Sequence, residues 1–300
     1  MSAKNSCALT TATYVPATKL SPQIFVGLGI GANWVVAYRY RIANLAASVQ
    51  PLIGLTLDPV IGLLGAKTLP SKGTVQSSGN VGAFATVAES AMAAPTGWER
   101  YLAYSDAGAG LRVSWLFTNI VNGAQGLLPG QRQVGFGVTS SALPGIALVE
   151  IDGNSGGPLA YVDEGPTGDI EAQVDALDAH NYLNPFAATP RIAVPVPFDR
   201  AELLRRIDAE ASSWVGLKLL DPALFTQLDR WLQAAIAAAS RKDLVTCGSN
   251  VASLVKRIHD FYASLDDVPT DWTGPSPSTL MDRRVAQILV FDLAYALAHP

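Results

Sequence analysis

Gly153-Asn154-Ser155-Gly156-Gly157-Pro158-Leu159 lies near the middle of a 300-residue chain, one residue after the apolar run Ile146-Ala147-Leu148-Val149-Glu150-Ile151. Glycine, asparagine, serine and proline are the residues from which tight turns are built, so the string reads first as a turn between strands. Ser155 gives it a second reading, as a turn that holds a hydroxyl out as a nucleophile. Leu159 to Asp163 follow as a further strand-like run.

The surroundings set the class. Hydrophobic residues make up 49% of the chain and charged ones 15%, enough to bury a large core. From Gln23 to about Val162, short apolar or alternating runs are separated by Gly, Pro, Asn and Ser. In Leu111 to Ile120, Val113, Trp115 and Phe117 alternate with Arg112, Ser114 and Leu116, the period-two signature of a half-buried strand. Many short strands of this kind predict a barrel or a sandwich.

After Pro197 the period changes to that of helices. Asp199 is expected to cap a first helix, with Glu202 completing a capping box and Leu203, Leu204 and Ile207 on its buried face. Asp221 caps a second, Pro222 takes its first position, and Leu224, Leu228, Trp231, Leu232 and Ile236 form the stripe. A third is expected from about Asn250, with Val251, Leu254, Val255, Ile258, Tyr262 and Leu265 in register. A Pro- and Ser-rich linker then leads to a last helix from about Leu280 to Ala298.

The formula G-x-S-x-G also describes the nucleophile elbow of α/β hydrolases, but a helix must follow the serine there, and Pro158 and a strand-like run follow here. All seven residues from Gly153 to Leu159 instead resemble the nucleophile motif of trypsin-like serine peptidases, and within them the HtrA/Deg type. Ile192 to Ile207 is similar to the strand and helix that close that protease domain. The resemblance implies a mainly β fold, a trypsin-like double β-barrel over residues 20–212, preceded by an N-terminal segment 1–19 and followed by an α-helical C-terminal domain over 213–300. It implies Ser155 as nucleophile, with the backbone N–H groups of Gly153 and Ser155 stabilising an oxyanion.

A third segment, Asn33 to Ile42, resembles the one that carries the family's general-base histidine. Aligned on Trp34, Val35, Val36 and Ala37, the histidine position falls on Tyr40, which by itself reads as a strand tyrosine packed on the barrel, since aromatic residues favour strands. The histidines of the chain, His180, His259 and His299, all follow Ser155, whereas the family order is histidine, aspartate, serine. Neither Asp58 nor Asp106 has the motif of the family's aspartate around it. A serine hydroxyl without a base is a poor nucleophile, and a phenol with an ordinary pKa near 10 accepts no proton at neutral pH. The expectation is a peptidase homologue impaired in catalysis that acts by binding a protein or peptide, with a peptidase or esterase using a non-standard base and a structural or assembly protein as alternatives.

Other classes are disfavoured. A net charge of -4 without a basic run offers phosphates no footprint, so no nucleic acid is expected. Cys7 and Cys247 are too few for a disulfide framework or a thiolate metal site, and His180, beside Asp175 and Asp178, reads as a solvated loop group, so no metal or cofactor is expected. His259 is expected to face solvent and His299 to fray. Residues 1–20 lack the apolar core of a secretory signal, and Leu45 to Ala66 carries Pro51, Asp58 and Pro59, so a cytoplasmic protein without a membrane span is expected. No strand pattern of a PDZ domain follows residue 212.

Overall fold

Alternating apolar residues draw the described segments before Pro197 into strands. A computed structural model describes residues 22–48, 51–64, 76–77, 90–104, 110–118, 126–153, 182–183, 186–262 and 280–299, and all structural statements concern these. The strands are β1 (Pro22–Ile30), β2 (Val36–Asn44), β3 (Leu52–Val60), β4 (Gln76–Ser77), β5 (Met92–Ala93), β6 (Trp98–Tyr104), β7 (Leu111–Phe117), β8 (Arg132–Ser140), β9 (Leu143–Gly153), β10 (Tyr182–Leu183) and β11 (Phe186–Ile192). They form a four-stranded sheet in the order β1-β2-β8-β5 and a seven-stranded sheet in the order β10-β9-β3-β7-β6-β4, with β11 also paired to β9.

The chain is therefore mainly β with a helical C-terminal part. Both sheets are antiparallel and open among the described residues, where no closed barrel is found. Their inner faces share one core. Val36, Tyr38, Tyr40 and Ile42 alternate inward from β2, and Val113 and Trp115 inward from β7, all buried. Phe136 of β8 meets Trp98 of β6 edge-on at 4.9 Å and Trp115 at 5.9 Å, so aromatic contacts cross between the sheets.

Two hydroxyls fasten this packing. Tyr38 Oη donates to the Ala142 carbonyl at 2.8 Å, and Tyr40 Oη donates to the Ala188 carbonyl at 3.0 Å. Ala142 lies in the short turn by which the chain leaves β8 in one sheet and enters β9 in the other, and Ala188 lies in β11. Trp115 Nε1 bonds the Ala93 carbonyl of β5 across the same core at 2.8 Å. Buried polar atoms must be paired, so these tips fix where the sheets sit.

Four helices follow: α1 (Arg200–Gly216), α2 (Pro222–Ser240), α3 (Leu244–His259) and α4 (Arg283–Ala298). Each starts at an aspartate, Asp199, Asp221, Asp243 and Asp282, whose side chain accepts a first-turn N–H. The expected caps at Asp199 and Asp221 are present; α3 begins earlier than its stripe suggested, and α4 begins at Arg283. Leu203, Leu204, Ile207 and Trp214 are wholly buried on α1, and burying each aliphatic side chain is worth roughly 1.5–3 kcal/mol. The position between residues 212 and 213 falls inside α1. α2 packs on α1 and α3, while α4 packs on α1, α3, β9 and β11, so strands and helices share one continuous core.

Glu210 joins α1 to the sheet. Its Oε1 accepts from Arg191 Nε at 2.9 Å, from the Ile146 N–H at 3.3 Å and from Trp214 Nε1 at 3.3 Å. Gly145 permits this approach, because a Cβ there would overlap the Glu210 carboxylate.

α4 also holds the β1–β2 turn, where Asn33 and Trp34 have φ of 56° and 59°. The left-handed region is costly for tryptophan. Trp34 is held there by Tyr295, whose hydroxyl donates to its carbonyl at 3.2 Å and whose ring meets the indole edge-on at 5.4 Å. His299 is not frayed as the sequence suggested. Its ring stacks on Phe198 at 3.9 Å, and its carbonyl accepts from Arg200 Nη2 at 2.8 Å.

Tyr38→Phe and Tyr40→Phe should each leave a buried carbonyl without its donor and lower stability by about 1–3 kcal/mol. Urea denaturation should record the loss as a lower midpoint with an unchanged slope.

Candidate functional site

Alternation along β9 decides which of its side chains face outward in the residues before Gly153. Val149 and Ile151 are buried in the core, which sends Glu150 and Asp152 to the outer face of the larger sheet. Asp152 stands opposite Gly54 of β3. A Cβ on residue 54 would overlap the Asp152 carboxylate, so Gly54 makes the space in which that carboxylate lies over the neighbouring strand.

Two strands away on the same face is Arg112 of β7. Its Nη2 donates to Glu150 Oε2 at 2.7 Å, and its Nε lies 3.8 Å from Asp58 Oδ2 of β3. Two carboxylates, Asp58 and Glu150, thus share one guanidinium, with Asp152 within reach of its charge, and Oδ1 of both Asp58 and Asp152 is buried without a hydrogen-bond partner. Burial, then the neighbouring charge of Glu150, push the Asp152 carboxyl up to about 6, against the opposing pull of Arg112. A carboxyl with that pKa can take up and release a proton near neutral pH. Among the described residues, no three His, Cys, Asp or Glu are placed to hold a metal ion.

Gly153 ends β9, buried and paired with Leu52 of β3. Ser155 and His180 lie outside the described residues, as does Cys7. Tyr40 is described, and it lies in the other sheet, in the middle of β2 between Val26 and Phe136. Its ring is 2% exposed and 6.0 Å from the Trp115 ring, with the hydroxyl donating to Ala188. Burial raises the phenol well above its ordinary pKa, so it stays protonated and has its one proton engaged. His259 is half-buried, with Nδ1 3.4 Å from the Tyr262 carbonyl.

Sequence reasoning missed Asp152, Glu150 and Arg112. The signal was available: Asp152 directly precedes Gly153, and the period of two that buries Val149 and Ile151 also puts Glu150 and Asp152 on one outward face. Their shared partner was not legible, because nothing local reports that β7 and β9 both flank β3.

No family model matches the chain, and no curated protein matches it. Among solved structures, an uncharacterized protein from Nocardia farcinica, described as having an immunoglobulin-like fold, is 14% identical and superposes with a TM-score of 0.27 over 56% of this chain and 98% of its own. A superposition that loose assigns nothing to this chain. No helix among the described residues is long and apolar enough to cross a membrane.

The raised carboxyl of Asp152 has a consequence for stability with a definite sign. The folded chain holds the Asp152 proton more tightly than the unfolded chain does, so this contribution is fullest below the ordinary carboxylate pKa and is lost as pH rises through about 6. Asp152→Asn should therefore raise the melting temperature at pH 8 and leave it nearly unchanged at pH 4, as read by calorimetry.

Proposed function

We propose that this protein works by binding, as a structural or assembly component with a two-sheet body and a helical layer, and not by hydrolysis at Ser155. One observation carries this reading. The residue aligned with the peptidase base, Tyr40, is a core tyrosine whose hydroxyl is engaged with the Ala188 carbonyl and whose phenol is held in its protonated form. Neither state supplies the proton acceptor that a serine nucleophile needs. A body of two open sheets among the described residues supports the same reading, since a trypsin-like cleft forms between two closed barrels.

The peptidase-homologue reading keeps the seven-residue string Gly153 to Leu159, with Gly153 as an oxyanion donor and Ser155 as nucleophile. An active form of it would take its base from elsewhere, and the nearest carboxylate in sequence is Asp152. A protein or peptide partner suits both readings.

A fluorophosphonate probe separates them. The folded chain is expected to remain unlabelled between pH 6 and 8. Labelling that disappears in Ser155→Ala and falls at least tenfold in Asp152→Asn would replace the binding reading with that of a serine hydrolase.

A further inference from the structure

Asp292 is an acid on the buried face of a helix. α4 turns Val285, Ile288, Leu289, Leu293 and Ala296 into the core, and Asp292 lies among them with 0% exposure. Neither of its carboxyl oxygens has a hydrogen-bond partner.

The groups around it do not supply a cation. From α1 it faces Glu210, whose Oε1 is already taken by Arg191 of β11, by the Ile146 N–H of β9 and by the Trp214 indole. From β2 it faces Tyr38, whose proton goes to the Ala142 carbonyl, and from α4 itself Tyr295 is close to the same phenol. The acids of β9, Glu150 and Asp152, lie on the outer face around Arg112. From α3 the buried titratable group is Cys247, which responds to Arg200 and Asp243.

An ionised carboxylate enclosed this way is strongly disfavoured, so with α4 seated the group is a neutral acid. Burial, and then the Glu210 charge, hold it well above the usual carboxylate range. Once α4 leaves its seat, water solvates the carboxylate and the group returns to an ordinary pKa of about 3.9.

We propose that Asp292 makes the seating of α4 a proton-linked clasp, closed by the neutral acid and released, with loss of that proton to solvent, as pH rises. Release frees the turn at Trp34 from Tyr295 and uncovers Ile288, Leu289 and Leu293 together with the surface of β9 and β11 beneath them. This inference does not depend on how Ser155 is read. Between the two pKa values, seated α4 holds one proton more than released α4, so each pH unit raises the released population about tenfold; above the seated pKa the dependence flattens.

Hydrogen–deuterium exchange on the full chain, corrected for intrinsic rates, tests it between pH 5 and 8. Asp152 and Asp208 are also raised, each to about 6, so the measurement is made in an Asp152→Asn, Asp208→Asn background. Opening of α4 amides is expected to grow with pH, by up to about tenfold per unit, while α2 amides change far less. Asp292→Asn should abolish the slope; Asp292→Leu should do the same, and far-UV circular dichroism verifies that each variant is folded. Equal slopes for α2 and α4, or a slope that survives both substitutions, would overturn the clasp.

Discussion

Two phenols on one strand set the geometry of the body. A tyrosine can be enclosed only if its hydroxyl finds a partner, and Tyr38 and Tyr40 find theirs in main-chain carbonyls of Ala142 and Ala188, across the core from β2. Because the reach of a phenol is fixed, the two bonds act as rigid spacers between layers. The aromatic contacts of Trp98, Trp115 and Phe136 fill the space that the spacers define. The helical layer then builds on β9, which follows the turn at Ala142, and on β11, which holds Ala188.

Much of this was legible in the sequence because it is written in local periods. The alternation around Val113 and Trp115 gave a strand, and the stripes on α1 and α2 gave helices with the right caps, since a capping aspartate and the apolar positions behind it lie within a few residues of each other. α3 starts earlier than its apolar stripe suggests: Gly248, Ser249 and Asn250 are weak helix formers, and the Asp243 cap on the Thr246 N–H together with the burial of Cys247 carries the first turn. Strand partners were not legible, since pairing depends on contacts between residues distant in sequence. Tyr40, which aligns with the family's histidine position, is the buried strand tyrosine that an aromatic residue in an alternating run predicts, at a core position of β2.

The candidate site was less legible than the fold. A nucleophile motif can be read as a string, whereas a pKa is a property of enclosure and neighbours. Asp152 lies next to the motif in sequence, but its character comes from Gly54, Glu150 and Arg112, contributed by three strands. Asp208 is raised by enclosure and by Asp229 on the facing helix, and Asp292 by enclosure and Glu210. These three acids sit in different parts of the molecule yet pull the same way, each favouring the folded chain as pH falls, while Glu202, held low by Arg206 and Arg205, and Asp243, held low by the Thr246 N–H, pull the other way.

The continuity of α1 bears on how the molecule can be dissected. Trp214, wholly enclosed and bonded to Glu210, lies beyond residue 212 on a helix that begins at Arg200, bonded to the end of α4, and meets β9 and β11 through Glu210. A fragment truncated after the β-rich portion would lose that indole and leave Glu210, Arg191 and the flank of β9 facing solvent. Recombinant pieces cut at that point should come out as insoluble material, and limited proteolysis of the intact chain should find no stable product ending there.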